Sequence, residues 1–178
     1  SEILFTTGTT GKSKGIKIVY RNNVAIAQNV SEAIGITNDD VEMVTAPMNH
    51  SMALRRTYTV FYKGGTVVLT DGVKFIEDFF KLLDMYNVTG LTFAPAILEQ
   101  LLKFAKDRFG TYSDRLRYIQ LGSAPLSEKA KETLKEMFPN TKLFNIYGAT
   151  ESGCTARSCT AASLYARPLQ LLPDGSSQ

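Results

Sequence analysis

The sequence predicts an α/β fold, a mostly parallel sheet with alternating helices. Short runs rich in β-branched and aromatic residues alternate with longer stretches whose apolar residues recur at helical spacing. Glycine, proline and asparagine stand at the breaks between them, as at Gly35, Gly64-Gly65, Pro95 and Gly122. Strands separated by helices need crossover connections, and these bring successive strands into parallel pairing.

Taken in order, Ile3 to Thr6 and Ile16 to Tyr20 read as strands on either side of a loop dense in Gly, Thr and Lys. After Asn22 and Asn23, either of which suits a helix cap, Val24, Ala27, Val30 and Ile34 mark a helical face that Gly35 stops. A strand over Val41 to Ala46 and a helix over Met52 to Tyr62 follow, and Gly64-Gly65 then turns into a strand over Thr66 to Leu69. Phe75, Ile76, Phe79, Phe80 and Leu83 form the next helical face, Val88 to Ala94 a strand, and Ile97 to Ala105 a helix beginning just past Pro95. Leu116 to Leu121 is strand-like, Ser127 to Phe138 amphipathic and helical, and Lys142 to Ile146 a last strand leading into Tyr147-Gly148. From Cys154 onward no period persists, and Ser, Thr, Ala and Arg dominate. Two regions are therefore expected: residues 1–153 as one domain and residues 154–178 as an atypical tail, whether a natural linker, a disordered end or a frameshifted one.

The 178 residues are 44% hydrophobic and 21% charged, the balance of an ordinary globular domain. A net charge of +3, with Lys and Arg interleaved among Asp and Glu, leaves no basic stripe for nucleic acid. No apolar run approaches the roughly 18 residues of a membrane span. Cys154 and Cys159 have no second pair and no histidine nearby, so neither a disulfide framework nor a zinc site is indicated, and a reducing cytoplasm is the expected compartment. Ser1 opens directly onto the apolar Ile3-Leu4-Phe5, which reads as the interior of a longer protein.

In open α/β sheets, sites gather in the loops at the carboxyl ends of strands. Three such loops are predicted here, beginning at Thr6, Gly122 and Tyr147. The first, Thr6-Thr7-Gly8-Thr9-Thr10-Gly11-Lys12-Ser13-Lys14-Gly15, combines glycines that admit close backbone approach with hydroxyl donors and lysines, a composition suited to polyphosphate. It is not an ordinary P-loop, because Thr6 stands where the first glycine would be and no long helix follows Lys12 directly. Taken alone, it reads equally well as a Gly/Thr hairpin turn.

This stretch resembles the phosphate loop of the adenylate-forming superfamily, which includes acyl-CoA synthetases, luciferases and the adenylation domains of peptide synthetases. Ser13 stands where the family usually has proline. The resemblance implies that Thr6, Thr7, Gly8, Thr9, Thr10, Gly11 and Lys14 hold the β- and γ-phosphates of ATP. Asn145-Ile146-Tyr147-Gly148-Ala149-Thr150-Glu151 is similar to the family's aromatic-Gly-x-Thr-Glu motif. Tyr147 offers a flat face to adenine, a contact worth about 1–3 kcal/mol. Gly148 and Ala149 let the nucleotide approach the backbone, Thr150 donates to a phosphate oxygen, and Glu151 binds Mg²⁺ directly or through water. Gly122-Ser123-Ala124-Pro125 resembles the Gly-Gly-Ala-Pro turn that lines the family's adenine pocket, with Ser123 in place of a glycine. His50, the only histidine, lies in a segment similar to the family's Pro-x-x-His region, and the resemblance sets it beside the carboxylate being activated, although Asn49 replaces the neighbouring aromatic.

The resemblance covers about residues 3 to 153 and implies part of the large N-terminal domain of an acid–thiol ligase. The implied substrates are a small-molecule carboxylic acid, ATP with Mg²⁺, and the thiol of coenzyme A or of a carrier protein. The family's N-terminal subdomain, its ribose-binding Asp motif and its mobile C-terminal domain with a catalytic lysine have no counterpart in these residues. The isolated chain is accordingly expected to bind Mg-ATP weakly or not at all and to turn over poorly. The alternative is a catalytically inactive nucleotide-binding fragment.

Overall fold

The computed structural model describes residues 2–7, 13–70, 72–150 and 153–159, with the backbone alone at Thr7, Tyr147 and 153–159. An antiparallel hairpin, β1 (Glu2–Thr7) and β2 (Ser13–Ile18), comes first and forms its own two-stranded sheet. It is followed by α1 (Tyr20–Ile34), β3 (Val41–Val44), α2 (Ser51–Tyr62), β4 (Thr66–Leu69), α3 (Ile76–Met85) and β5 (Gly90–Phe93). The chain continues through α4 (Pro95–Phe104), α5 (Lys106–Gly110), β6 (Tyr118–Gly122), α6 (Glu128–Met137), β7 (Lys142–Ala149) and β8 (Gly153–Cys159). The main sheet has the order β4-β3-β5-β6-β7-β8. Its pairs from β4 through β7 are parallel, and only the β7–β8 pair is antiparallel. The predicted α/β class, mostly parallel with alternating helices, is the one observed.

Boundaries differ in informative places. Strand β2 ends at Ile18 and α1 begins at Tyr20, so Asn22 and Asn23 lie inside the helix rather than capping it; the cap position is Val19, with extended backbone and no side-chain hydrogen bond. The aromatic and β-branched content that extended the predicted strand to Tyr20 is overridden by tertiary context. At the other end Gly35 stops the helix as expected, in left-handed conformation (φ 78°) with its N–H on the Ser31 carbonyl. Strand β8 appears where the sequence shows no alternation, paired with Phe144 to Ala149 through a bulge at Tyr147/Gly148.

The two faces of the sheet carry different cores because successive strand residues point oppositely. On one face Met43, Leu91, Phe93, Ile119, Leu121 and Leu143 meet α3, α4, α5 and α6 through Phe80, Leu83, Leu101, Phe109 and Leu134. Rings interlock there, with the Phe109 and Phe138 centroids 4.8 Å apart. On the other face Tyr118, Phe144, Val67 and Ile146 pack with Val30, Ile34 and Val60 of α1 and α2.

That second face also holds a buried polar cluster. Glu42 of β3, wholly buried, accepts from Arg56 Nε (2.8 Å) and Nη2, from Thr92 Oγ1 (2.7 Å) and from the Tyr118 hydroxyl (2.7 Å). Burial first, then the Glu42 charge, keeps the Tyr118 hydroxyl firmly protonated and so a donor. Gly90 makes this possible: it is the register partner of both Glu42 and Tyr118, and a Cβ there would collide with the Tyr118 ring lying across it.

A second buried carboxylate, Asp40, ties the start of β3 to its neighbours. It accepts from Thr37 N–H (2.8 Å), Thr89 Oγ1 (2.8 Å) and Arg117. Burial opposes its charge, but the hydrogen bonds from Thr37, Arg117 and Thr89 prevail and hold its pKa below the usual carboxylate value. A depressed folded-state pKa contributes stability above the unfolded value of about 3.9 and loses it as pH falls through the folded value. Asp40→Asn is therefore expected to lower stability at pH 7 by about 1–3 kcal/mol. Urea melts taken from neutral to acid pH should show the gap to wild type closing below about pH 4; a gap independent of pH would disprove the assignment.

Candidate active site

Helix α2 connects the polar interior to the carboxyl ends of the strands. Its first residue, Ser51, places Oγ 3.3 Å from Thr150 Oγ1, just beyond β7. One turn on, Arg55 donates from Nη1 to the Ala149 carbonyl (3.0 Å) and from Nη2 to the Thr150 carbonyl (2.5 Å). The next residue, Arg56, already reaches Glu42, which shares a sheet rung with Gly90 and Tyr118. The helix thus descends from the strand ends toward the middle of the sheet.

Between α1, α2, β6 and β7 lies a cleft enclosing about 120 Å³. Its mouth is formed by Ser51, Gly122, Ser123, Gly148 and Ala149, its walls by Ile26, Val30, Met52 and Ile146, and its deeper part by Arg56, Thr59 and Gln120. Close backbone approach is built in, since a Cβ at Gly122 would press on Met52 Sδ at 3.1 Å. Ser123, at φ 72°, holds the left-handed conformation that glycine adopts without strain, and its Oγ lies 3.4 Å from Met52 Sδ. A non-glycine residue at such a φ is a local strain of the kind found at ligand clamps.

Of the residues singled out in the sequence, Gly122, Ser123, Gly148 and Ala149 line this cleft, and Thr150 stands at its rim on Ser51. Ala124 is exposed beyond the β6 turn and does not join the lining. His50 is exposed at the N-cap position of α2, immediately before Ser51. Tyr147 is seen in backbone only, paired with Ala156, so the Tyr147–Ala149 segment continues β7 rather than opening a loop. Thr6 and Lys14 face each other as register partners across the β1–β2 hairpin, whose base is joined to α2 by the Tyr58 hydroxyl on Glu2 Oε2 (2.9 Å). Thr7 belongs to the same hairpin by its backbone, while Gly8, Thr9, Thr10, Gly11 and Glu151 lie outside the described residues.

Sequence reasoning passed over Ser51, Arg55, Arg56 and Gln120. A signal existed: adjacent arginines inside an otherwise weakly polar helix, and charged or amide residues flanked by apolar ones in the buried strands, Glu42 between Val41 and Met43, Gln120 between Ile119 and Leu121. Such residues are rarely buried without partners.

An open parallel sheet with a glycine-edged cleft at its strand ends defines an α/β domain built to receive a ligand there. The family described as AMP-binding enzyme matches residues 2–174, and the chain belongs to that family. Among curated relatives, 4-coumarate–CoA ligase-like 9 of Arabidopsis thaliana is 31% identical over 160 residues, 88% of this chain and 28% of that protein. Among solved structures, CmiS6 superposes with TM-score 0.81 at 26% identity, over 96% of this chain and 40% of that one. The O-succinylbenzoate coenzyme A synthetase of Bacillus subtilis, in complex with AMP, gives 0.77 at 26% identity, over 90% and 40% respectively. The chain therefore spans less than a third of the length of curated relatives such as the Arabidopsis thaliana protein.

Proposed function

We propose that this chain is the central part of a carboxylic acid–CoA ligase, in which the acid is first activated as an acyl-adenylate and then passed to a thiol. The observation that carries the reading is the convergence of Gly122-Ser123 and Gly148-Ala149-Thr150 on one cleft, with the Thr150 hydroxyl held on Ser51. The AMP-binding family and the CoA ligases among its relatives support it.

In the first step a carboxylate oxygen forms a bond to the α-phosphorus of ATP while the bond to the pyrophosphate oxygen breaks, and the electron pair leaves with pyrophosphate. In the second, a thiol sulfur attacks the acyl carbon, AMP departs and the thiol proton passes to solvent. No protein nucleophile is required. Residues of this chain bind, align and screen charge. In this reading the mouth glycines admit the nucleotide, Tyr147 stacks on adenine, Thr150 donates to phosphate, and the Thr6 to Lys14 loop holds the distal phosphates. His50 borders the reacting carboxylate. The donor set suits a polyanion: hydroxyls at Ser51 and Thr150 beside backbone that carries no side chain at Gly122 and Gly148. Among the described residues no group of three or more His, Cys, Asp and Glu converges; the family resemblance assigns the protein's share of the Mg²⁺ site to Glu151, which lies outside the described residues. Bound Mg²⁺ would neutralise phosphate charge. Domain limits at 1–153 and 154–178 and weak activity of the chain in isolation belong to the same proposal.

The test is carboxylate-dependent pyrophosphate exchange by the full-length protein. Wild type should exchange with at least one acid, and Glu151→Gln should reduce the rate by two orders of magnitude or more. Saturable Mg-ATP binding with no exchange for any acid would instead favour the inactive nucleotide-binding fragment.

A further inference from the structure

The deeper part of the cleft is polar in a way the fold does not require. On β6, Ile119 and Leu121 point into the main core, and Tyr118 is engaged with Glu42. Gln120, on the Tyr118 face and 2% exposed, lines the cleft with its Oε1 buried and without a hydrogen-bond partner among the described residues. An unbonded buried amide oxygen is costly, and a leucine or methionine of similar volume would avoid that cost. Beside it stands Arg56, oriented by its two hydrogen bonds to Glu42. The walls above are apolar: Ile26, Val30 and Ile146.

Resting on the ligase reading, we infer that Gln120 determines specificity: it hydrogen-bonds a polar oxygen at the far end of the acid, so the substrate is a compact carboxylic acid bearing a distal hydroxyl or carbonyl. Depth sets the size. Gln120 lies two residues below Gly122 on β6, about 7 Å along a strand, which an aromatic ring or a short chain spans. The terminal torsion of glutamine is broad and roughly two-fold, so the amide presents either its N–H or its oxygen. A hydroxyl can answer both, and a carbonyl answers the N–H. Sites built to bond a substrate oxygen discriminate strongly against the analogue lacking it, because the buried group is then left unpaired.

The experiment compares acids in pairs on the full-length protein: phenylpropanoate with its para-hydroxy derivative, and hexanoate with its ω-hydroxy derivative. Each is measured by pyrophosphate exchange and, independently of turnover, by calorimetric binding. Wild type should favour the hydroxylated member of at least one pair tenfold or more in kcat/KM and in affinity. Gln120→Met, nearly isosteric, should keep or raise the melting temperature, since it removes the unbonded amide oxygen, and lose that preference, mainly through the hydroxylated acid. An unchanged preference in Gln120→Met, or a wild-type preference for the apolar member of both pairs, would overturn the inference. If acids bind with the expected discrimination but no exchange occurs, the ligase reading fails while the role of Gln120 stands.

Discussion

Glu42→Gln is expected to destabilise the protein by about 3–5 kcal/mol, the cost of leaving a buried charge without its counter-ion. The carboxylate takes hydrogen bonds from Arg56, Thr92 and Tyr118, which come from one helix and two strands, so its loss disturbs all three at once. Urea unfolding at pH 7 reads the effect. The double variant Glu42→Gln/Arg56→Met should recover a large part of it, since removing both ions also removes the uncompensated guanidinium. Additive losses would show that the two side chains act independently and that the ion pair is not what organises this face.

Arg55→Ala should act on rate. Its guanidinium fork holds the Ala149 and Thr150 carbonyls, and Thr150 is the proposed phosphate donor. Freed from that hold, the Thr150 turn loses its alignment, and a misplacement near 1 Å is worth on the order of 10²-fold in rate. The expected result in the full-length protein is a drop of that size in the exchange kcat, with the KM for the acid little moved. Arg55→Lys should restore only part of it, because a single ammonium does not reproduce a planar fork across two carbonyls. An unchanged kcat in Arg55→Ala would confine this residue to a structural role.

Much of this was legible beforehand, for identifiable reasons. Gly35, Gly64-Gly65 and Pro95 punctuate the chain with conformations other residues reach poorly, so the helices and strands around them could be placed. Gly122 and Gly148 stood out through the motifs that hold them, Gly122-Ser123-Ala124-Pro125 and Tyr147-Gly148-Ala149-Thr150-Glu151, which resemble those of the adenylate-forming superfamily; taken alone, Gly122 reads only as a turn after a strand. What stayed hidden is long-range. Arg55 and Thr150 are 95 positions apart, and Glu42 and Tyr118 are 76 apart; only the sheet order brings each pair together. Periodicity sees Gln120 as one polar interruption in a strand and has no means of telling that it faces a cleft rather than water. The antiparallel β8 escaped for a related reason: Gly153 to Cys159 lacks apolar alternation, and its place is set by pairing with β7.

Helix α2 carries the rim contacts of Ser51 and Arg55 and the deep contact of Arg56 on a single rod. Any repacking that tilts or slides that rod to admit a different acid would also displace the grip on Thr150, whereas a change on β6 is borne by a strand paired on both sides. Laboratory efforts to broaden the range of acids should therefore randomise the sheet side first and leave the helix sequence fixed, trading breadth against speed only as a last resort.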